Sequence, residues 1–349
     1  MKKTLNKTKI ADFATYIGVV IAFIVMNALM NEGLLTRSMK GQLVPICCYI
    51  VMAVSLNLTV GILGELSLGH AGFMSVGAFT GVVTAMSLQS AVPSDGVRLA
   101  LAIVMGAIFA GIAGTLVGIP VLRLHGDYLA IVTLAFGEII KELINCLIIG
   151  HDENGLHIIF NATGAKTVTD LGLTETGKVL IKGAQGATGT DTIASFTAGF
   201  ILIMVTLVVV LNLARSRSGR AIMALRDNRI AAESVGINVT KYKLMAFVTS
   251  AALAGGAGAL YGLNFSNLVS SKFDFNTSIL ILVFVVLGGL GNMWGSIIAA
   301  AVLTVLPEAL RGFADYRMLI YAIVLIVVML ATNSPQMKAL LSKLVPFGK

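Results

Sequence analysis

Charged residues are scarce in this sequence: Asp, Glu, Lys and Arg together make up 12% of the residues, against 57% for hydrophobic ones. Typical soluble domains carry about 25% charged residues. The mean hydropathy is +0.92. A chain this apolar has more hydrophobic surface than a soluble domain of its length can bury, so the composition excludes an ordinary water-soluble protein.

Cysteine is also rare, and the three present are Cys47, Cys48 and Cys146. All three lie within apolar runs, and the adjacent pair makes poor disulfide partners. None has the spacing of a metal ligand, and the four histidines do not cluster at metal spacing either. We therefore expect small buried hydrophobic side chains at these cysteines and no metal site.

Motifs that carry enzymatic chemistry are missing as well. The sequence contains no Gly-x-x-x-x-Gly-Lys-Ser/Thr loop, so the chain is not expected to bind and hydrolyse ATP by itself. We also find no convincing pairing of a nucleophile with a base. The sequence therefore predicts no catalytic residue, no enzyme activity and no cofactor bound by this chain.

Apolar runs long enough to cross a bilayer recur about ten times along the chain. One crossing takes ~20 mainly apolar residues in a helix. The pattern predicts an all-α, polytopic transmembrane bundle in which residues 1–349 form a single domain. The run 277–290 is short, and glycines lie at its end and just after it. These glycines indicate either a turn or a broken, re-entrant segment. The predicted spans are 13–30, 44–62, 68–88, 99–122, 128–149, 193–213, 244–263, 277–290, 293–310 and 316–333.

Two of the loops between these runs differ in charge. Loop 215–243 has seven basic and two acidic residues, whereas loop 150–192 has three basic and five acidic residues. Because cytoplasmic loops carry an excess of Lys and Arg, the first loop is predicted to be cytoplasmic and the second extracellular. Both termini then fall in the cytoplasm. The net charge of +8 follows from this topology, and no nucleic-acid partner is expected.

Small residues recur at a spacing of four in two of the runs, which places them along one face of each helix. Lipid gives helices no hydrophobic reason to associate, so such rows favour close packing of helix backbones. An interface with a second subunit is the alternative. The rows are Gly106, Ala110, Gly114 and Gly118 in the fourth run, and Ser250, Ala254, Gly258 and Gly262 in the seventh.

Loop 215–243 has the pattern of two short helices. Asp227 and Asn228 are suitable caps for the second helix, with residues 231–235 as its body. Gly236 suits a left-handed turn at its end. A compact amphipathic helix held at the membrane surface fits a groove on another protein, although an ordinary basic interfacial loop explains the composition equally well.

Several motifs follow one another along the chain: 63–81, 126–140, Ala231, Ala232, Glu233 and Gly236 in the loop, 288–295, and Leu306-Pro307-Glu308. In this order they resemble motifs of the branched-chain amino-acid permeases of ABC transporters, in particular the LivM-type permeases. One departure lies after the fifth run, where family members often carry Thr-Gly-Gly-x-x-Gly and this chain reads His-Asp-Glu-Asn-Gly at 151–155.

The resemblance implies a permease subunit of an ABC importer for branched-chain amino acids, in the bacterial plasma (inner) membrane. The implied partners are a second homologous permease subunit, two cytoplasmic ABC ATPases that use ATP, an extracytoplasmic substrate-binding protein and membrane lipid. Nucleosides, or urea and short amides, are alternative ligands in the same superfamily, and a stand-alone secondary transporter is the alternative class. The predicted ATPase-coupling residues are Arg226, Asp227, Ala231, Ala232, Glu233 and Gly236.

Polar residues within the apolar runs are the candidates for a substrate path, because charge is costly at membrane depth. Glu138 and Lys141 share one helix face, where Glu138 either lines a path or reaches the interfacial water. Glu65 lies in a short break between the second and third runs. It is expected to contact an ATPase, to stabilise a helix start or to line a gate. For the uncharged candidates, the alternative to contacting the substrate is hydrogen bonding between helices. The substrate-path candidates are Asn57, Thr133, Glu138 and Asn264.

Overall fold

The computed structural model describes residues 2–326, apart from 34–35, 125, 153–154, 162–167, 174–176, 311–315, 317–318, 321 and 324. Within these residues the chain forms eleven α-helices and a small sheet. The helices are α1 Lys2–Asn31, α2 Arg37–Asn57, α3 His70–Ser87, α4 Asp95–Val121, α5 Asp127–Asn145, α6 Phe196–Arg215, α7 Arg217–Asp227, α8 Arg229–Ser234, α9 Val239–Gly262, α10 Phe275–Gly288 and α11 Met293–Ala309.

Six helical segments are long and apolar enough to cross a bilayer, which makes the chain a polytopic helical membrane protein. The shorter α11 is also apolar. Most of the predicted span 316–333 lies outside the described residues. The six segments are Phe13–Asn31, Arg37–Leu63, Asp95–Val121, Phe196–Arg215, Val239–Gly262 and Ser270–Gly288.

A five-stranded antiparallel sheet caps one end of the bundle, in the order β2-β1-β3-β4-β5. The expectation of an all-α chain is wrong here, and the predicted span 128–149 runs too far, because α5 ends at Asn145 and the isoleucines that follow pair in β1. Isoleucine suits a strand as well as a buried helix, so hydrophobicity alone did not separate the two. The strands are β1 Leu147–Asp152, β2 Gly155–Phe160, β3 Lys178–Lys182, β4 Ala187–Thr188 and β5 Asn267–Leu268.

Helices α3, α4 and α9 form the tightly packed centre of the bundle. A methyl group added to Gly258 of α9 would overlap the main-chain carbonyl oxygen of Met74 in α3. One added to Gly114 of α4 would lie 2.6 Å from the Cβ of Ala251 in α9. The prediction that the small-residue rows are packing faces is confirmed for these helices, whose backbones approach too closely for larger side chains.

Helix α2 does not end in a simple turn. It continues into a π-helical stretch, Leu58–Leu63, hereafter the π segment. The chain then reverses at Gly64, whose φ of +81° favours glycine, and runs without helix to the start of α3 at His70. The Nε2 atom of His70 lies 2.9 Å from the Oγ of Ser55. Along the helix, Ser55 lies about 12 Å before the end of the π segment. Helix α3 therefore begins inside the bundle.

Helices α10 and α11 form an antiparallel hairpin. A Cβ at Gly288 would overlap the backbone of Gly295, so the two helices meet backbone to backbone at the turn. The glycines after residue 287 therefore mark a tight turn between two helices, which was one of the two possibilities that the sequence left open.

Replacing Gly258 by alanine should destabilise the protein, because the new methyl group overlaps a backbone atom of α3 that cannot move away alone. Overpacking of this kind costs about 1–3 kcal/mol or more. The control is Gly256→Ala in the same helix, where the nearest atom to the new Cβ lies 3.6 Å away. The measurement is the midpoint of thermal unfolding in detergent, and equal midpoints for the two variants would contradict this packing.

Candidate functional site

The segment between α6 and α9 folds as two short helices joined by side-chain caps. Ser216 begins α7, and its Oγ accepts a hydrogen bond from the backbone N–H of Gly219 at 3.0 Å. Asn228 begins α8, with its Oδ1 accepting from the N–H of Ala231 at 3.1 Å. Gly236 follows with a φ of +84°. The predicted second helix and its left-handed end are confirmed, and the capping residue is Asn228 rather than Asp227.

Helix α8 has one buried and one exposed side. Ala232 packs inward, whereas Ile230 and Val235 are 80% and 75% exposed. Glu233 pairs with Arg229 at 3.0 Å on the exposed side. These two apolar side chains and the charged pair form a small surface that is accessible to another protein. The predicted coupling residues Ala231, Glu233 and Gly236 belong to this exposed side.

Arg226 joins the end of α7 to α2. Its Nη1 donates to the carbonyl oxygen of Gly61 in the π segment at 3.0 Å. Its Nε and Nη2 both donate to the Oδ1 of Asp227 at 3.2 Å. The arginine stem passes over Gly64, where a Cβ would lie 2.6 Å from the Arg226 Cγ. The structure therefore brings Arg226 and Asp227 to the turn that follows α2.

A buried ion pair lies beside this contact. Lys243, in the first part of α9, donates to the carboxylate of Glu65. The lysine side chain is 5% exposed and the glutamate 16%. Sequence reasoning placed Lys243 only among the basic residues of the loop and did not pair it with Glu65. The sequence feature that indicates this ion pair is an acid in a break between two apolar runs together with a lysine directly before another run.

Asn57 lies in the packed core of the bundle rather than along an open path. Its Oδ1 accepts from the N–H of Gly291 at 2.8 Å, and its Nδ2 donates to the Oγ of Ser296 at 2.9 Å. These bonds join α2 to the hairpin of α10 and α11. Its surroundings match the alternative of hydrogen bonding between helices.

Thr133 and Asn264 lie in two different parts of the fold. The Oγ1 of Thr133 accepts from the N–H of Leu68 at 3.0 Å and donates to the carbonyl of Ala130 at 2.9 Å, which fixes α5 against the segment before α3. Asn264 is half-buried in the turn after α9. The structure does not bring the four substrate-path candidates together.

Glu138 lines a narrow cleft between α3, α5 and α10. Its carboxylate pairs with Lys141, as the sequence predicts, and the Nζ of Lys141 lies 3.8 Å from the Oε1 of Glu142. Asp274, the cap of α10, shares the cleft. The cleft has a volume of about 10 Å³, which is room for about one water molecule. The lining residues are Leu68, Gly72, Leu134, Gly137, Glu138, Phe273, Asp274, Phe275 and Ser278.

At the opposite end of the bundle from α7 and α8, polar contacts hold the sheet region to α3 and α4. Arg98 is buried and pairs with Asp95 at 2.6 Å and with Asp191 at 3.4 Å. The Nε2 of Gln89 donates to Asp191 at 3.0 Å. These contacts attach the predicted loop 150–192 firmly to the helices.

Comparison with known proteins identifies relatives over most of the chain. The family model described as the branched-chain amino acid transport system permease component matches residues 38–330. This range includes the cleft, the π segment, α7 and α8. No solved structure matches the chain.

Three curated relatives illustrate the similarity. The high-affinity branched-chain amino acid transport system permease protein LivM of Escherichia coli (strain K12) is 35% identical over 288 residues, which is 81% of this chain. LivM of Salmonella typhimurium is 34% identical over 292 residues, again 81% of this chain. The match spans 66% of the length of each LivM protein. LivH of Salmonella typhimurium is 22% identical over 289 residues, covering 81% of this chain and 88% of LivH.

Replacing Asn57 by alanine should lower stability, because it removes a fully buried side chain and leaves the buried Oγ of Ser296 without the donor that Asn57 supplies. Losing one partner of a buried hydrogen bond costs about 1–3 kcal/mol. Asn264→Ala, at a half-buried turn, is the control and should change stability little. Thermal unfolding in detergent compares the two. A variant at Asn57 that unfolds like the wild type but loses transport would instead place Asn57 in a substrate path.

Proposed function

The chain belongs to the family of permease components of branched-chain amino acid transport systems, and we propose on that basis that it is a membrane-spanning permease subunit of an ABC importer. Its substrates are branched-chain amino acids. The observation that carries this proposal is the family match over residues 38–330, which includes both the apolar bundle and the exposed helix α8. Members of the family are transporter subunits, so the chain acts by conducting a substrate rather than by converting one.

The proposed partners follow from the two ends of the molecule. Two ATPases bind and hydrolyse the ATP, and one of them docks against α8 through Ile230 and Val235, the exposed apolar residues beside the Arg229–Glu233 pair. A second, homologous permease completes the pathway. A substrate-binding protein delivers the ligand at the end that carries the sheet. Closing of the ATPases moves α7 and α8 and switches the bundle between two open states.

The proposed topology has about ten crossings, with both termini in the cytoplasm of a bacterium and the bundle in its plasma (inner) membrane. The six long apolar segments, together with α3, α5, α11 and the predicted span 316–333, supply this number. The basic loop with α7 and α8 then lies in the cytoplasm, and the loop 150–192 lies outside, in agreement with the charge difference between them.

The function is tested with a tagged chain purified in mild detergent from its own host. We expect the wild type to recover an ATPase, and the complex in liposomes to take up leucine, isoleucine or valine only with ATP. The double variant Ile230→Asp, Val235→Asp should lose the ATPase, because it places charges on the apolar docking side. The control, Ile158→Asp on the sheet, is 63% exposed in the wild type and should retain it. Recovery of no ATPase with the wild type would contradict the proposal.

The topology is tested by thiol labelling. Val235→Cys should react with a membrane-impermeant maleimide only after the cells are permeabilised, whereas Leu156→Cys on β2 should react in intact cells. Both native residues are exposed. Labelling of the unmodified chain provides the background from its own cysteines. The reverse pattern of access would place α8 outside the cell and refute both the orientation and the docking role.

A further inference from the structure

Two basic side chains, one from α7 and one from α9, reach the same turn at the end of α2. Arg226 donates to the carbonyl of Gly61, within the π segment. Lys243 pairs with Glu65, just beyond it. Arg226 is the second-last residue of α7, which precedes α8, and Lys243 lies in α9 of the tightly packed centre. The turn after α2 is therefore attached both to α7 and to α9.

The backbone at this turn is shaped for the arginine contact. A π-helical turn is rare and is often found at functional sites. In this turn the carbonyl of Gly61 is available to the guanidinium at 3.0 Å. Gly64 leaves room for the arginine stem, because a Cβ there would approach the Arg226 Cγ to 2.6 Å. A displacement of α7 by more than a fraction of an ångström must therefore move the turn or break the contact.

The ion pair makes the second attachment stiff. The backbone N–H of Glu65 donates to the carbonyl of Thr59 at 3.1 Å, so its carboxylate is tied to the π segment. Both side chains are largely buried, and removing one partner of a buried pair leaves an uncompensated charge at high cost. The pair therefore resists separation more than an exposed ion pair does.

The π segment also contacts the α10–α11 turn and continues toward α3. A Cβ on Gly61 would overlap the N–H of Gly291 in the α10–α11 turn, and Asn57 bonds that same N–H. In the other direction, the chain continues to Leu68 and α3, which form one wall of the cleft that contains Glu138. A movement of the π segment is thus passed to two of the three helices that line the cleft.

We propose that Arg226 and the Lys243–Glu65 pair form a two-point clamp on the turn after α2. Arg226 carries the movement of α7 and α8 into the π segment, Lys243 anchors the end of this turn to α9, and the movement continues into the α3–α5–α10 cleft. This inference rests on the proposed function, since it needs ATPases that move α8. The clamp stays closed through the cycle, and Arg226, Lys243 and Glu65 are positioning residues that couple ATP hydrolysis to substrate movement.

The test uses the complete transporter in liposomes and measures uptake of a labelled branched-chain amino acid per ATP hydrolysed. In Arg226→Gln, and in the double variant Lys243→Met, Glu65→Gln, which removes both charges of the pair at once, we expect the ATPases to remain bound and ATP hydrolysis to continue. Uptake per ATP should fall about tenfold, within the range for residues that couple two sites. A purely structural role would lower the amount of assembled complex and leave this ratio unchanged.

Two matched variants serve as controls. Lys241→Met removes the same charge two residues from Lys243, at an exposed position. Arg220→Gln removes an exposed arginine of α7 whose Nη1 donates to the carbonyl of Arg215 instead of the π segment. Both should keep the wild-type ratio. Arg226→Lys retains a donor for the Gly61 carbonyl and should recover part of the coupling that Arg226→Gln loses.

The outcomes separate the two proposals. If the wild-type complex shows no ATP-driven uptake, the proposed function is wrong. If it does, and Arg226→Gln and the double variant Lys243→Met, Glu65→Gln keep the wild-type ratio, the clamp is wrong while the function stands. If the clamp variants fail to assemble but the controls do assemble, the contacts act in folding, and that result also overturns the clamp.

Discussion

The close approach of helix backbones at the centre of the bundle is the constraint on which the other features depend. Lipid tails are as apolar as leucine, so helices in a membrane associate through tight packing and polar contacts rather than through the hydrophobic effect. Gly258 against the Met74 carbonyl, and Gly114 against Ala251, bring α3, α4 and α9 to this separation. Because α3 and α9 are fixed there, the cleft beside α3 and the ion pair at the start of α9 have defined positions.

Side chains of the bundle complete the hydrogen bonds of two irregular backbone segments, as a bilayer favours. Asn57 supplies the N–H of Gly291 with an acceptor, and Thr133 does the same for the N–H of Leu68. Both N–H groups belong to segments that are not helical, namely the α10–α11 turn and the return to α3. Irregular backbone is thus possible inside this bundle because side chains of neighbouring helices complete its hydrogen bonds.

The geometry gives the molecule two distinct ends. Helix α8 presents the exposed side chains of Ile230 and Val235 at one end, and the sheet lies at the other. The π segment contacts α7, α9 and the α10–α11 turn. This irregular segment therefore joins the pair of short helices to the packed centre.

Much of this could be predicted from the sequence alone. The apolar runs predicted a helical membrane protein, because the length of a hydrophobic run is a local property of the sequence. The small-residue rows predicted packing faces, and the motif around Glu233 indicated the family. Both of these patterns are local as well. The sheet after α5 was missed because isoleucines at 148 and 149 suit a strand as well as a helix. Only the tertiary structure decided that Lys243 pairs with Glu65, that Arg226 reaches Gly61 and that Asn57 lies in the core. These contacts join residues up to 239 positions apart, and their partners depend on how the helices pack, which no local pattern records.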